Sequence, residues 1–438
     1  MKFYQWLRTG RLWFSILAGC GGAAPLSAQG LPPQNSDEEQ VHMAPLPDAL
    51  VLANGTRVTT AETWTRERRP ELLELFRTQM YGRAPEKPAG MTFETRGLEP
   101  AALGGLATRK EITVFLTGRK DGPMMTILLY VPNAAPKPAP AFLGLNFYGN
   151  QSVDADPGIT RSTGWMMAND KLGIANHRAT EKTCGAQASR WQVEKILKRG
   201  YATATVYYGD IEPDHPEGWK TGIRAALSKD GAETRWKDDE WSAIAAWAWG
   251  LSRAMDYLET DKDIDAKHVA VHGHSRLGKT ALWAGATDER FALTISNNSG
   301  EGGAALARRD FGETTAIINR ANPHWFCRNF HRYSDNPAGL PVDQHELIAL
   351  MAPRPVYVAS AEQDKWADPR GEFLAAKNAG PVYALFGKTG IDLAEPPPVN
   401  QPAGDFIGYH IRTGEHDITA YDWERFLDFA DRHFKQPH

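Results

Sequence analysis

The part of the sequence that most constrains the fold is the stretch from Val269 to Lys279, which reads VAVHGHSRLGK. An apolar run of strand length leads into a turn with glycines on both sides of a serine, and a helical pattern follows. This order predicts a buried strand, a tight turn and a helix, with Ser275 held above the edge of a sheet.

A serine at such a turn is typical of a nucleophile elbow. The backbone N–H that follows it lies at a helix N-terminus, where it can stabilise an oxyanion. The pattern departs from the usual one, because Leu277 stands where a second glycine is expected and Gly278 comes one residue later. The alternative is an ordinary glycine-rich turn between a strand and a helix. We interpret Ser275 as the candidate nucleophile.

Strand-like and helix-like segments alternate along the chain. Apolar runs of strand length occur at 112–116, 125–131, 141–147, 202–207, 268–271, 292–296, 356–360 and 382–386, and a last strand contains His410. Helical patterns cover 61–80, 190–198, 241–258, a segment from 277, and 421–434. The order predicts an α/β-hydrolase fold: an opening meander, then a mostly parallel central sheet sandwiched by helices.

Two long intervals, 150–190 and 300–340, are too irregular to be simple crossovers. We expect them to be inserted loops that shape a cleft at the carboxyl end of the sheet, where such folds bind ligands. Residues 29–47 are rich in Pro, Gln, Asp and Glu and predict a flexible leader. Residues 48–438 then form a single catalytic domain.

Residues 1–28 predict an export signal, because Lys2, Arg8 and Arg11 precede an apolar run and small residues follow. The residues before Cys20 resemble a lipoprotein box, whereas Leu26-Ser27-Ala28 suits cleavage before Gln29, and both routes stay open. We expect an exported protein that is periplasmic, secreted or lipid-anchored at the cell envelope. No later apolar stretch reaches the ~20 residues of a spanning helix, so no membrane span is expected.

Composition excludes some functions. Binding of nucleic acid needs a concentrated basic face, and the formal net charge of −4 gives no reason to expect one. Nucleic acid is therefore not an expected partner. Neither the histidines at 324 and 331 nor those at 410 and 416 show convincing metal-ligand spacing, so no metal is expected. Cys184 and Cys327, the two cysteines after the signal, either form a disulfide or remain free thiols.

A nucleophilic serine needs a base and an orienting acid, which follow it along the chain in this fold class. Asp364 lies just past the strand at 356–360, where that acid commonly stands; Glu362 and Asp368 are nearby alternatives. Two histidines precede the final helix. We favour His416 as the base because it follows Gly414 in a turn, whereas His410 lies within the last strand.

Five stretches together resemble the bacterial glucuronoyl esterases of carbohydrate esterase family 15. They are Leu143-Gly144-Leu145-Asn146-Phe147-Tyr148-Gly149-Asn150, Ser189-Arg190-Trp191, Gly273-His274-Ser275-Arg276-Leu277-Gly278-Lys279, Pro323-His324-Trp325-Phe326-Cys327 and Asp364-Lys365-Trp366-Ala367-Asp368-Pro369. They occur in the expected order, and the resemblance extends from roughly the first helix to the C-terminus.

The resemblance implies a role for each site residue. Ser275 would be the nucleophile, His416 the base, and Arg276 an oxyanion ligand through its guanidinium and backbone N–H. Lys279 and Glu313 would contact the glucuronate, and Trp366 would form an aromatic wall beside the sugar ring. The residues alone leave plainer alternatives open: Lys279 as a solvated helix charge, Glu313 as a helix cap and Trp366 as packing.

One departure concerns the acid. Some members carry a glutamate at the end of the strand after the elbow helix, where this chain has Asn298, so the acid role falls on Asp364. The resemblance implies a serine esterase that acts without cofactor on (4-O-methyl-)glucuronate esters of glucuronoxylan, as in lignin–carbohydrate links. We expect the protein to be a monomer. The alternatives are an acetyl-xylan or other carbohydrate esterase, and a non-catalytic polysaccharide-binding protein.

Overall fold

The computed structural model describes residues 31–228 and 237–435. The predicted export signal and its two processing sites lie outside the described residues. Eleven strands and fourteen α-helices follow one another in chain order in the described part. The strands are β1 (Thr92–Ala102), β2 (Ala107–Phe115), β3 (Met124–Pro132), β4 (Ala139–Asn146), β5 (Ile174–Ala175), β6 (Arg178–Ala179), β7 (Ala202–Tyr207), β8 (Ile264–His274), β9 (Leu293–Asn297), β10 (Val356–Ala361) and β11 (Ile407–Arg412).

The helices flank the sheet that most of these strands form, and some of them lie in the inserted loops. They are α1 (Ala61–Thr63), α2 (Arg69–Phe76), α3 (Ala188–Trp191), α4 (Val193–Lys198), α5 (Tyr208–Ile211), α6 (Ile223–Leu227), α7 (Ala243–Leu258), α8 (Arg276–Thr287), α9 (Thr315–Ala321), α10 (Arg328–His331), α11 (Gln344–Ala349), α12 (Pro369–Asn378), α13 (Gly380–Ala384) and α14 (Ala420–Phe434). A π-helical turn, Trp64–Arg68, joins α1 to α2, and a second one, Arg77–Tyr81, extends α2, so that together they form the single helical stretch that the sequence predicts.

Nine strands form one mixed sheet in the order β1-β2-β3-β7-β4-β8-β9-β10-β11. The first three strands and β7 pair antiparallel, whereas every pair from β7 and β4 to β10 and β11 is parallel. Strands β8, β9, β10 and β11 are therefore neighbours that all end at the same edge of the sheet. This edge carries the predicted site.

The predicted strands and helices are confirmed with one exception, and three strands were missed: β1 and the two-residue strands β5 and β6. Residues 382–386 were predicted as a strand, but helix α13 covers most of them, with Pro381 in its first turn. A short apolar run does not separate a buried strand from a buried helical turn. Strand β1 escaped prediction because it is a largely exposed, polar edge strand. The meander also ends at β3, since β7 lies between β3 and β4.

The core forms on both faces of the sheet. All sixteen residues of α7 are buried, in keeping with its Ala- and Trp-rich sequence. Helix α8 packs beside α7 and continues directly from β8. A second cluster around Trp423 and Phe426 of α14 covers the opposite face of the parallel strands. The strands that carry the site are thus held between buried helices.

The structure also describes the N-terminal segment and the two cysteines that follow the predicted signal. Residues 35–44, inside the predicted flexible leader, make backbone hydrogen bonds to the loop at 308–312. Cys184 is exposed, Cys327 is buried, and both are free thiols. In residues 31–228 and 237–435, no helix has the length and apolar character needed to cross a membrane. No group of three or more metal-ligating side chains converges within the same ranges.

Candidate active site

Ser275 lies between the end of β8 and the first residue of α8. Its backbone adopts φ 57° and ψ −131°, a conformation that non-glycine residues rarely occupy outside strained functional turns. A Cβ at Gly273 would lie 1.9 Å from the carbonyl oxygen of Leu277, so only glycine allows strand and helix to approach this closely. The turn is the strand-elbow-helix arrangement predicted for residues 269–279.

The neighbouring strands bring the predicted acid and base to the same edge. Asp364 follows β10, and His416 follows β11. The Nδ1 atom of His416 lies 2.5 Å from Oδ2 of Asp364. Burial alone would raise the pKa of the Asp364 carboxyl, but the hydrogen bond and charge of His416 hold that pKa below its ordinary value. An ionised Asp364 can therefore orient and stabilise a His416 imidazolium.

Asn298 occupies the strand end between these two groups and the serine. It follows β9, and its Nδ2 donates to the same Oδ2 of Asp364 at 2.7 Å. The amide thus supports the carboxylate that bonds to His416. The side chain of Asp368, one of the alternative acids, instead bonds to Arg309, and Glu362 is exposed.

Two arginines, Arg412 and Arg190, hold the loop that carries His416. Arg412 donates to the carbonyl oxygens of Glu415 and Asp417, at 3.0 and 2.6 Å. Arg190 donates to the Asp417 carboxylate at 2.5 Å and contacts Nε2 of His274 at 3.2 Å. Arginines on both sides therefore fix the backbone around the imidazole.

His274, the residue before Ser275, packs against His416 with ring centroids 4.5 Å apart. Burial, together with the charges of His416 and Arg190, holds the pKa of His274 well below its ordinary value. Its Nδ1 lies 2.6 Å from the Asn297 side-chain oxygen. A neutral His274 adds no positive charge beside the imidazole of His416, and its contact places that imidazole next to the elbow.

Arg276 points its guanidinium into a buried polar cluster. It donates to Asp214 at 2.8 Å and lies over the Trp325 ring, 4.8 Å from the centroid. Its Nε–H is buried and makes no hydrogen bond to any atom of the described residues. The attraction of Asp214 outweighs burial and keeps the pKa of Arg276 above its ordinary value. A permanent cation whose Nε–H has no hydrogen-bond partner among the described residues therefore stands beside Ser275.

Asp214 was not identified from the sequence. Its Oδ1 accepts from His324 Nε2 and Trp325 Nε1, each at 2.8 Å, and its Oδ2 from Arg276 and Tyr208. Burial opposes ionisation, but these partners hold the pKa of Asp214 well below its ordinary value. The only sequence signal for this cluster was the Pro323–Cys327 motif, which supplies two of the donors. His324 is thus part of this cluster.

The three predicted sugar-contacting residues lie close together. Lys279 is buried and donates to the Ser299 carbonyl at 2.6 Å, with Glu313 Oε2 3.3 Å from its ammonium nitrogen. The Glu313 backbone N–H donates to the Trp366 carbonyl at 2.8 Å. Trp366 is 40 % exposed.

The plainer alternatives for two of these residues are not what the structure shows. Lys279 is not a solvated helix charge, because its side chain is buried. Glu313 is not the cap of α9, because Thr314 fills that position and accepts from the Ile317 N–H. His410 also proves structural, since it is buried in β11 between Asp422 and Tyr357.

Comparisons with known proteins agree with this geometry. A sequence model of the family described as "Glucuronyl esterase, fungi" matches residues 235–387. A carbohydrate esterase from an unknown prokaryotic organism is 51% identical over 399 residues, which cover 91% of this chain and 92% of that protein. The chain belongs to carbohydrate esterase family 15. This family has the α/β-hydrolase fold, which the sheet order above matches.

Solved structures of family 15 members superpose over most of the chain. The glucuronoyl esterase from Solibacter usitatus is 51% identical with a TM-score of 0.86, covering 91% of this chain and all of that one. A family 15 glucuronoyl esterase from Teredinibacter turnerae is 33% identical with a TM-score of 0.77, covering 91% of this chain and 92% of that one. Members of family 15 are serine-type esterases, and so is this chain.

Proposed function

We propose that this family 15 esterase hydrolyses the ester between the carboxyl group of a (4-O-methyl-)glucuronate on xylan and an alcohol, as in lignin–carbohydrate links. The observation that carries the proposal is the buried Lys279 and Glu313 pair. Lys279 lies one helical turn after Ser275, its backbone N–H bonded to the Ser275 carbonyl at 3.1 Å. Lys279 and Glu313 are therefore held about one helical turn from the serine. Polar groups in this position suit the hydroxyls of a uronate whose carboxyl carbon is attacked by Ser275.

The chemistry follows from the arrangement at the strand ends. Ser275 Oγ attacks the uronoyl carbonyl carbon while His416 Nε2 takes the hydroxyl proton, because Nδ1 is engaged by Asp364. The carbonyl oxygen becomes an oxyanion, which the Arg276 backbone N–H and guanidinium stabilise. The imidazolium returns its proton to the alcohol oxygen as the carbon–oxygen bond breaks, leaving an acyl-enzyme.

Water completes the cycle. His416 removes a proton from water, whose oxygen attacks the acyl carbon, and the second tetrahedral species collapses to release free glucuronate. The Ser275 oxygen recovers its proton from the imidazolium. Asp364 remains ionised throughout and stabilises the charge on His416.

The substrate class has independent support. Several relatives are named glucuronoyl esterases or 4-O-methyl-glucuronoyl methylesterases, including the Solibacter usitatus and Hypocrea jecorina proteins. The esterified uronate is uncharged at its carboxyl, so a site with balanced Lys279 and Glu313 charges suits it better than a strongly cationic one.

The experiment assays the purified protein on benzyl glucuronate, methyl galacturonate and acetylated xylan, with Ser275→Ala as the matched control. We expect preferential turnover of benzyl glucuronate. Faster release of acetate from xylan would support the alternative carbohydrate esterase, and absence of turnover on all three would support a binding protein.

We further propose that the protein is exported. Both processing routes predicted for residues 1–28 place it outside the cytoplasm. Fractionation of producing cells, with the N-terminal mass of the mature chain, tests this: a start at Cys20 carrying lipid or at Gln29 is expected. Retention of the full-length chain in the cytoplasm would contradict it.

A further inference from the structure

The segment just after the predicted signal is tied to the loop that leads to Glu313. We call residues 35–44 the strap. Three backbone–backbone hydrogen bonds join it to residues 308–312: Gly312 N–H donates to Asn35 O at 2.8 Å, Ala44 N–H to Arg308 O at 3.1 Å, and Asp310 N–H to His42 O at 3.2 Å. In addition, the His42 backbone N–H donates to the side-chain Oδ1 of Asp310 at 2.6 Å. The strap therefore follows this loop along its length.

The strap also reaches the loop that carries Trp366. Lys365 Nζ donates to the Ser36 carbonyl at 3.3 Å. Both carboxylate oxygens of Glu38 lie 2.5 Å from Nη2 of Arg309. The Nε–H of Arg309 donates to Asp368 at 2.8 Å. Glu38 is about half exposed, whereas Arg309 and Asp368 are buried. A chain of charges thus runs from the strap through Arg309 to Asp368, two residues after Trp366.

The two loops meet tightly beneath the strap. Gly312 has φ 66°, and a Cβ there would lie 2.4 Å from the Lys365 carbonyl oxygen. The next residue, Glu313, bonds through its N–H to the Trp366 carbonyl. Displacement of either loop would therefore move both residues. Because Trp366 is 40 % exposed, packing by its own side chain does little to fix this position.

We propose that the strap is a specificity-determining part of the esterase, and that Glu38 is the positioning residue through which it fixes Glu313 and Trp366. The proposal rests on the proposed function, in which these two residues contact the sugar. Without the Glu38 contact, buried Arg309 keeps only Asp368 of the two carboxylate partners described above. The loops that carry Glu313 and Trp366 are then held less firmly. Either predicted processing route retains the strap in the mature chain.

The proposal separates two kinds of substrate. None of the strap contacts above reaches the side chain of Ser275, His416 or Asp364, and the Asp364 carboxylate is held by Asn298 and His416. A small activated acetyl ester needs only these groups, whereas a glucuronate ester also needs the two loops. Damage to the strap should therefore raise KM for the sugar ester and leave acetyl ester turnover unchanged.

The test compares Glu38→Gln with Glu39→Gln, which removes the same charge from the neighbouring exposed residue. We expect Glu38→Gln to raise KM for benzyl glucuronate about tenfold, since small misplacements of binding groups have effects of this order, and to leave kcat/KM for 4-nitrophenyl acetate within about twofold. Glu39→Gln should match the wild type on both. Equal losses on both substrates, or no loss on either, would overturn the proposal.

A binding measurement provides a second test. In the Ser275→Ala background, Glu38→Gln should raise the dissociation constant for methyl glucuronate about tenfold, measured by calorimetry. If Glu38→Gln does not fold, Lys365→Met should raise this constant as well. Unchanged affinity in the folded variant would overturn the proposal. Wild-type protein that turns over acetyl esters but no glucuronate ester would instead remove the proposed function itself.

Discussion

His416 Nδ1 lies 2.5 Å from Asp364 Oδ2, the oxygen that also accepts the Asn298 amide at 2.7 Å. The carboxylate that contacts His416 thus follows β10, the strand after β9, and Asn298, which follows β9, donates to it instead of competing with it. An amide next to a carboxylate donates a hydrogen bond without adding a second negative charge, which favours an ionised Asp364.

The first expected outcome concerns this acid. Asp364→Asn should lower kcat by roughly 10³ to 10⁴, because an amide neither fixes the required tautomer nor stabilises the imidazolium. KM and Tm should change little. Asn298→Ala, the control, should cost far less. A kcat for Asp364→Asn near that of the wild type would place the acid elsewhere.

A linked double variant tests whether the two positions face the same nitrogen. Asp364→Ala with Asn298→Glu should recover part of the activity that Asp364→Ala loses, because Asn298 already reaches the oxygen bonded to His416. The readout is kcat on benzyl glucuronate at one pH. Activity no higher than that of Asp364→Ala alone, in a folded protein, would argue against the equivalence of the two positions.

The second prediction concerns the sugar contacts. Lys279→Ala and Trp366→Ala should reduce kcat/KM on benzyl glucuronate at least tenfold more than on 4-nitrophenyl acetate, because contacts to a remote ring act only when the ring is present. Steady-state kinetics on both esters provide the measurement. Matching losses on the two substrates would assign these residues a structural role.

The third prediction concerns Asp214. Asp214→Asn should lower kcat roughly 10- to 100-fold on sugar and acetyl esters alike, because Arg276 loses the carboxylate that aims its guanidinium at the developing oxyanion. Unfolding should become easier by about 3 kcal/mol, since a buried arginine is left without its charge partner. Tyr208→Phe removes one neutral donor to Asp214 and serves as the control. An unchanged kcat in folded Asp214→Asn would contradict this role.

The fourth prediction concerns pH and stability. Glu372 of α12 is buried beneath the strand ends, where it accepts from Ser299 N–H at 2.7 Å, and burial raises its pKa to about 8 from an ordinary value of 4.5. Between these two values the native chain keeps a proton that the unfolded chain has released, so stability falls as pH rises. A single proton contributes at most about 1.4 kcal/mol per pH unit.

Glu372→Gln removes the titratable group, so the native and unfolded states no longer differ by this bound proton. The variant's free energy of unfolding should therefore fall less steeply than that of the wild type as the pH rises from about 5 to 8. Urea unfolding at several pH values in this range gives both slopes. Identical slopes would show that Glu372 is ionised in the native state throughout the range.

Most of the parallel sheet could be predicted from sequence, because buried strands such as β7 and β8 are continuous apolar runs between turn residues. The elbow and the residues after β10 and β11 followed from the same reasoning, since parallel strand ends meet at one edge. Asp214 could not be found in this way. Three of its four donors, Arg276, His324 and Trp325, lie more than 60 positions away, and no local pattern marks such a residue.

The strap was predicted as a flexible leader for a related reason. Its composition is that of a linker, and the contacts of Glu38 and Asn35 with residues 309 and 312 span more than 270 positions. A local pattern also failed at 382–386, where Pro381 begins a short helix in an apolar run that suits a strand equally well.

The most direct measurement of the central claim is kcat/KM for benzyl glucuronate in the wild type and in Ser275→Ala, with Tm recorded for both. The wild type should hydrolyse the ester, and Ser275→Ala should lose about 10⁴-fold or more of this activity while keeping its fold, as expected for removal of a triad nucleophile. Undiminished hydrolysis by folded Ser275→Ala would contradict a serine mechanism at this elbow.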